Sequence, residues 1–246
     1  MPFLSVIIPT YNCEERITDS LQSLAGQTFK DFEILILDGI STDKTICLVK
    51  AFFETHPDLQ FSLISEKDNG IFHAMNKGAA RAKGKWLYFI GSDDSLISND
   101  IFTKVYSCLT KPGSPDFFYG NALIKDTGEE YDGKFSFRHL LKANICHQSI
   151  FVTKELFDEF GPFDLRFNVH ADWDFNVKVF QAKKNIQFTN MLIAAYGNQG
   201  YSSGQRDINF EQKLCLIKES YYRHFTNRWN SRLHSLKKRI KRYFML

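Results

Sequence analysis

The sequence predicts an α/β protein: a parallel sheet with helices on both faces, continued by a mixed second half. Three observations predict it. Apolar runs of strand length alternate with segments of helical period from Phe3 to Ile90. Those runs are almost unbroken, as strands buried on both faces are. Each run ends in polar residues, at the place where open α/β sheets bind ligands beyond the carboxyl ends of their strands.

The elements follow in order. Phe3 to Thr10 (FLSVIIPT) reads as a buried strand stopped by Pro9-Thr10. Glu14 to Ala25 carries Ile17, Leu21 and Leu24 at helical spacing. Phe32 to Asp38 is a second strand, and Ser41-Thr42-Asp43 offers caps for a helix through about Glu54. Phe61 to Ser65 is a shorter third strand. Gly70 to Lys83 is an Ala-rich helix with Gly84 as its cap, and Trp86 to Ile90 is the fourth strand. After Asp94 the regularity weakens. A helix from about Asn99 to Thr110, a strand at Phe117 to Tyr119, a turn region from Asp126 to Lys134, a strand at Ser149 to Val152, a helix from Asp172 to Ala182 and a strand from Ile186 to Tyr196 complete the body. This gives a domain over residues 1–222 and a separate C-terminal segment over 223–246.

At 43% apolar residues the chain has ordinary globular composition and can bury a sizeable core. The five cysteines are scattered and odd in number, without metal-like spacing, which fits reduced thiols in a cytosolic protein. The first residues lack a basic leader and a cleavage site, and no window is long and apolar enough to span a membrane, so no signal peptide or span is expected. The chain carries net +3, yet the segment from Arg223 holds eight Lys/Arg and no Asp/Glu, so the body before it is acidic.

The stretch WLYFIGSDDSL, Trp86 to Leu96, raises the chemical question. Asp93 and Asp94 sit side by side just past a buried strand. Like charges at the rim of a core are costly unless paired or bound to a cation. With Thr10-Tyr11-Asn12, Asp38 and Glu66-Lys67-Asp68 at neighbouring strand ends, they can share one crevice. No GxGxxG follows the first strand, and GAARAKGKW (Gly78 to Trp86) fails as a P-loop because it precedes a strand. Mg²⁺ or Mn²⁺ held by one or two carboxylates is the device left for binding phosphates.

Four segments in order, VIIPTYN (Val6 to Asn12), LDGISTDKT (Leu37 to Thr45), EKDNGIFHAMNKGAARAKGKWLYFIGSDD (Glu66 to Asp94) and HADWDF (His170 to Phe175), resemble glycosyltransferase family 2. The resemblance spans roughly residues 3 to 200. It implies the GT-A fold, a Rossmann-like mixed sheet with a nucleotide-binding parallel half, and an inverting, non-processive transferase of the polysaccharide-assembly type. It also implies roles. Pro9, Thr10 and Tyr11 line the base and ribose, Asp38 accepts a hydrogen bond from the base, and Asp68 and Lys77 join the donor-binding set. SDD stands for the metal-binding DxD motif, with Asp94 as ligand and Asp93 on the ribose or metal. Asp172 is the general base. His147 and Trp173 are weaker candidates for acceptor or pyrophosphate contacts. A UDP-sugar is the donor expected from the resemblance, and a saccharide or lipid-linked saccharide the acceptor.

The chain also departs from the family. Many members have two acids and a Gly where this chain has Asp38-Gly39-Ile40, and an Arg where it has Met75. The Gln-x-x-Arg-Trp signature of processive members is absent from the body; Phe225 to Trp229 imitates its end within the basic tail.

The chemistry agrees with the resemblance. A nucleoside diphosphate leaving group accumulates charge that a divalent ion offsets as Lewis acid. The acceptor hydroxyl needs a base, a contribution of roughly 10²–10⁴-fold. Two other readings stand beside this one: a metal-dependent hydrolase using His147, His170, Asp172 and Asp174, and a nucleotide-sugar-binding module without catalysis. In the tail, Trp229, Leu233, Leu236, Ile240, Tyr243 and Phe244 form a helical apolar stripe amid basic residues. This is expected to lie on an anionic membrane surface and to hold the enzyme on the inner face of the cell membrane. Nucleic acid is not an expected partner, since the body is acidic and lacks a nucleic-acid motif.

Overall fold

The structure, a computed structural model, describes residues 1–131, 133–197 and 206–223. They fall into two compact units, the second beginning at Asp207. In the second, residues 208–223 are helical. The stripe from Trp229 to Phe244 lies outside the described residues.

The first unit begins with strand β1 (Leu4–Thr10), helix α1 (Ile17–Ala25), β2 (Phe32–Asp38), α2 (Thr45–Glu54), β3 (Gln60–Ser65), α3 (Ile71–Arg81) and β4 (Trp86–Phe89). It continues with β5 (Ser95–Leu96), α4 (Ile101–Leu109), β6 (Phe117–Ile124), β7 (Glu130–Tyr131), α5 (Phe137–Leu140) and a 3₁₀ turn at His147–Ser149. Then come β8 (Ile150–Thr153), α6 (Lys154–Phe160), α7 (Ala171–Gln181) and β9 (Ile186–Tyr196). One sheet joins the strands in the order β3-β2-β1-β4-β8-β6-β9-β5, with β7 paired to β6. The first four are parallel to one another, and β8 turns the sheet antiparallel against β4 and β6.

The expected alternation is therefore present, and its strand ends are in register. Thr10 pairs with Asp38, and Asp38 with Ser65, so β1, β2 and β3 deliver their polar residues to one edge. Strands β1, β2 and β4 are buried along their whole length, which is why their sequences run apolar without alternation. Edge strand β3 is largely exposed and more polar.

Gly84 does something other than cap α3, which ends on Ala82. Its N–H donates to Ser5 Oγ at 2.8 Å, and a Cβ there would lie 2.6 Å from the Ser5 backbone nitrogen. Ser5 Oγ in turn donates to buried Glu33 Oε1 at 2.7 Å, which also accepts the Lys83 N–H at 2.7 Å. The turn before β4 is thus clasped to β1 and β2. Glycine stands there because the backbones touch, not because a helix stops.

The abundant phenylalanine builds the joint between the halves. Phe89 on β4, Phe157 on α6, Phe163 and Phe175 on α7 form a set with ring centroids 5.1 to 5.7 Å apart. All four are buried, each ring stabilising the fold by about 1.5–3 kcal/mol. Asn76 on α3 reinforces this joint, donating to the Phe163 carbonyl and accepting its N–H, both at 2.8 Å. The segment entering α7 is thereby tied to the parallel half.

Candidate active site

A cleft of about 910 Å³ opens at the carboxyl edge of the parallel strands. On one side it is lined by Pro9, Thr10, Tyr11, Asp68, Asp93 and Asp94, and by His147, Gln148, Asp172 and Tyr196 from the second half.

The loops after β1 and β2 are stitched to each other. Asn12 Oδ1 accepts from Thr42 N at 2.8 Å, and Ser41 Oγ accepts from Asn12 N at 2.9 Å. Glu14 Oε2 accepts from Lys44 N at 2.7 Å, and Asp43 Oδ2 from Glu14 N at 3.1 Å. Tyr11 keeps its ring largely exposed, an aromatic face free to stack. Asp68 stands close to it: a side chain at Gly39 would meet Asp68 Oδ2 at 2.7 Å and the Tyr11 ring at 3.5 Å. The carboxylate of Asp68, from the loop after β3, thus stands against position 39, where a glycine leaves room for it.

Two of the expected donor contacts stand apart from the cleft lining. Asp38 is buried, with Ser41 N–H on its oxygens at 3.1 and 3.3 Å and the Ser65 hydroxyl donating to Oδ2 at 2.6 Å. It holds the loop that carries Ser41. Lys77 donates to the Lys67 carbonyl at 2.7 Å and pairs with Glu66 at 3.2 Å. That ammonium fastens the loop before α3.

Asp93 and Asp94 differ in surroundings. Asp93 faces Arg16 at 3.5 Å, and its carbonyl accepts from Lys125 Nζ at 2.7 Å. Asp94 is only 3% exposed. Its Oδ2 accepts from Gly91 N at 3.0 Å and from Gln148 Nε2 at 2.7 Å. Burial, with the Asp93 charge beside it, pushes the Asp94 carboxyl up to about 6. Both hydrogen bonds fall on Oδ2, which leaves Oδ1 for a cation. Among the described residues no three His, Cys, Asp or Glu side chains converge as a metal cage. The donor set therefore fits an ion held by one or two carboxylates that completes its shell with phosphate and water.

Asp172 occupies the first turn of α7 and is mostly buried, its side chain 13% exposed. Oδ1 accepts from Trp173 N at 2.8 Å and Oδ2 from Asn144 Nδ2 at 2.9 Å. Burial raises its proton affinity above that of an ordinary carboxylate. His147 Nδ1 lies 3.9 Å from Asp172 Oδ2, and burial lowers the affinity of this imidazole for a proton. Trp173 is turned from the cleft: its indole N–H donates to the Leu140 carbonyl at 2.7 Å. Asp174 is buried and pairs with Lys178 at 2.9 Å, one turn along α7.

Asn144 carries no expectation from the sequence, and Gln148, beside His147, carries no role there. Both lie in LKANICHQSI, an apolar approach to β8 interrupted by amides, and each amide grips one of the two acids. Polar side chains spaced four apart before a buried strand were the signal available. Gln148 is further fixed by Tyr88, whose hydroxyl donates to its carbonyl at 2.8 Å, and by the Cys146 thiol, which donates to its Oε1 at 3.0 Å.

Comparison with known proteins agrees with this arrangement. The sequence model of "Glycosyl transferase family 2" matches residues 5–130. The chain is 38% identical over 203 residues to a "PGL/p-HBAD biosynthesis glycosyltransferase" of Mycobacterium bovis, covering 81% of this chain and 78% of that one. Among solved structures it is similar to Staphylococcus aureus TarS 1-349 in complex with UDP, with TM-score 0.66, 21% identity, and coverage of 80% of this chain and 60% of the other. It is also similar to the mannosyltransferase PcManGT from Pyrobaculum calidifontis in complex with GDP-Man and Mn²⁺, with TM-score 0.63, 22% identity, and coverage of 81% and 59%. These likenesses show the fold. Motif order, sheet topology and a family match over half the chain lead to one conclusion: this protein is an enzyme of glycosyltransferase family 2, with the GT-A fold.

Proposed function

We propose that the enzyme moves a sugar, with inversion, from a UDP-sugar to a saccharide or lipid-linked saccharide acceptor in the assembly of a cell-surface polysaccharide or glycolipid. The observation that carries the reading is that two acids, the buried Asp94 and the mostly buried Asp172, line one cleft but belong to different halves of the fold. One acid borders the donor-binding strand ends, and the other is free of them. A relative named for PGL/p-HBAD biosynthesis and a similar structure in complex with UDP support the substrate class.

Pro9, Thr10 and Tyr11 receive the nucleoside, with Asp68 and Asp93 beside them. Asp38 and Lys77 act through the loops they hold. Asp94 Oδ1, with Asp93 nearby, would hold Mg²⁺ or Mn²⁺, which when bound supplies Lewis-acid stabilisation of the departing diphosphate. Asp172 takes the proton of the acceptor hydroxyl as it attacks the anomeric carbon, on the face opposite the leaving group. A single displacement inverts that carbon and needs no protein nucleophile. Burial suits Asp172 to this role, since a base is most effective when its proton affinity approaches the working pH. His147, uncharged at neutral pH beside it, is placed to accept or donate a hydrogen bond to the acceptor.

A thermal-shift panel of UDP, dTDP and GDP with and without Mn²⁺ tests the donor assignment; stabilisation by UDP only with the cation is expected, and equal shifts by all three would refute it. Turnover of a labelled UDP-sugar separates transfer from bare hydrolysis or simple binding. The basic tail is read as a peripheral membrane anchor on the cytoplasmic face. Deleting residues 227–246 should release the protein from anionic liposomes in flotation at low salt; failure of the intact chain to float there would end that reading.

A further inference from the structure

Asp172 is gripped by a short chain of amides. Asn176, buried in α7 one turn along from Asp172, donates through Nδ2 to Asn144 Oδ1 at 2.9 Å. With its oxygen committed, Asn144 turns its Nδ2 to Asp172 Oδ2. The ionised carboxylate only accepts, so this orientation is the one the network satisfies. The backbone of Asn144 is fixed too, since Tyr131 Oη donates to its carbonyl at 2.6 Å. Trp173 Nε1 fastens the start of α7 to Leu140.

We infer that Asn144 is a positioning residue for the base: it aims the Asp172 carboxylate and keeps it ionised in a buried setting. This rests on the reading of Asp172 as general base. Burial alone favours the neutral acid, and a donated hydrogen bond favours the charged one. The other groups around Asp172 do not replace it. His147 sits 3.9 Å away and burial disfavours its cationic form. Cys146, in the same approach to β8, and Tyr131, on β7, are held protonated by burial. On α7, Lys178 is engaged with Asp174. Asp93, which acts on His147, is paired with Arg16. With the Trp173 N–H on Oδ1, Asn144 on Oδ2 is the neutral side-chain donor that stabilises the negative charge without supplying a proton that the base would then carry.

The test is the pH dependence of kcat/KM for transfer in the full-length enzyme. Asn144→Ala removes the donor, and the near-isosteric Asn144→Asp replaces it with a second acid, preserving the packing if the alanine variant folds poorly. Calorimetry of UDP binding verifies that each variant is folded. Both should move the acidic limb of the profile to higher pH, with a loss of about tenfold at its acidic end and recovery toward wild type on the alkaline side. A limb that stays in place in both folded variants, however far kcat falls, overturns the positioning role. Asp172→Asn is run alongside. If it is inactive while the Asn144 variants leave the limb unmoved, only the positioning role fails. If it transfers at the wild-type rate, the base reading fails and the role of Asn144 falls with it.

Discussion

The two halves of the sheet hold their acids in different ways. In the parallel half, Asp38 ends β2 and Asp68, Asp93 and Asp94 lie in the loops after β3 and β4; backbone N–H groups hold three of them, Ser41 on Asp38, Gly70 on Asp68 at 2.9 Å and Gly91 on Asp94, and Arg16 pairs with Asp93. In the second half, Asp172 enters from a helix and is held by a side chain contributed 28 residues earlier, as well as by the N–H of Trp173. The parallel half anchors its acids first by N–H groups of their own loops, with Ser65 and Gln148 reaching Asp38 and Asp94 from farther along the chain, whereas at Asp172 a distant amide joins the one local N–H. The acids of the parallel half lie within short motifs at strand ends, and the family match ends at residue 130, before Asn144, Gln148 and Asp172.

Four changes sharpen or break that comparison. Asp172→Asn preserves shape and removes the proposed base; transfer measured with a labelled donor should fall by about 10²-fold or more, with UDP affinity close to wild type. Full activity would hand the role to another group.

Asp94→Asn should stabilise the cation-free protein. The folded Asp94 carboxyl sits near 6, above its ordinary value of 3.8, so above pH 6 the native state carries an ionised acid it disfavours. A shift of that size corresponds to roughly 3 kcal/mol. Melting in EDTA should show the variant more stable at neutral pH. The gap should close as pH falls from 6 toward 3.8, because the native wild type takes up its proton before the unfolded chain does. A gap that widens toward acid would contradict the burial argument.

Gly84→Ala forces a methyl against the β1 backbone and should cost about 1–3 kcal/mol in denaturant unfolding, with nucleotide affinity unchanged in the folded fraction. A neutral result would remove the clasp from the account. The smallest effect belongs to Ile40, a half-exposed β-branched residue with φ of 64° in the loop after β2. Ile40→Asn, which tolerates that conformation, should gain about 1 kcal/mol of stability. No gain would mean that the loop is not strained there.

The same contrast explains what could be read from the residues alone. Strands β1, β2 and β4 were legible because full burial leaves unbroken apolar runs, and the cleft was legible because the parallel strands lead into Thr10, Asp68 and Asp93-Asp94. The ranges expected for β2 and β9 match the structure to the residue. Strand β5 is two residues long and helix α5 four, too short to show a period, and α6, at seven residues, spans barely two turns. Asp38 and Lys77 illustrate another limit: a motif names the residue, but its hydrogen bonds to Ser65 or Lys67 depend on the fold. Asn144 could not be tied to Asp172 from spacing, because a contact across 28 residues depends on how α7 packs on the second half.

The central claim is that the two acids divide the work, Asp94 serving the donor and its cation and Asp172 the acceptor. Calorimetric titration of UDP in the presence of Mn²⁺ into Asp94→Ala and Asp172→Asn, side by side, tests it most directly. The account predicts that Asp94→Ala loses cation-dependent UDP binding while staying folded, and that Asp172→Asn binds as the wild type does. Cation-dependent binding retained in Asp94→Ala, or lost equally in both variants, would contradict it.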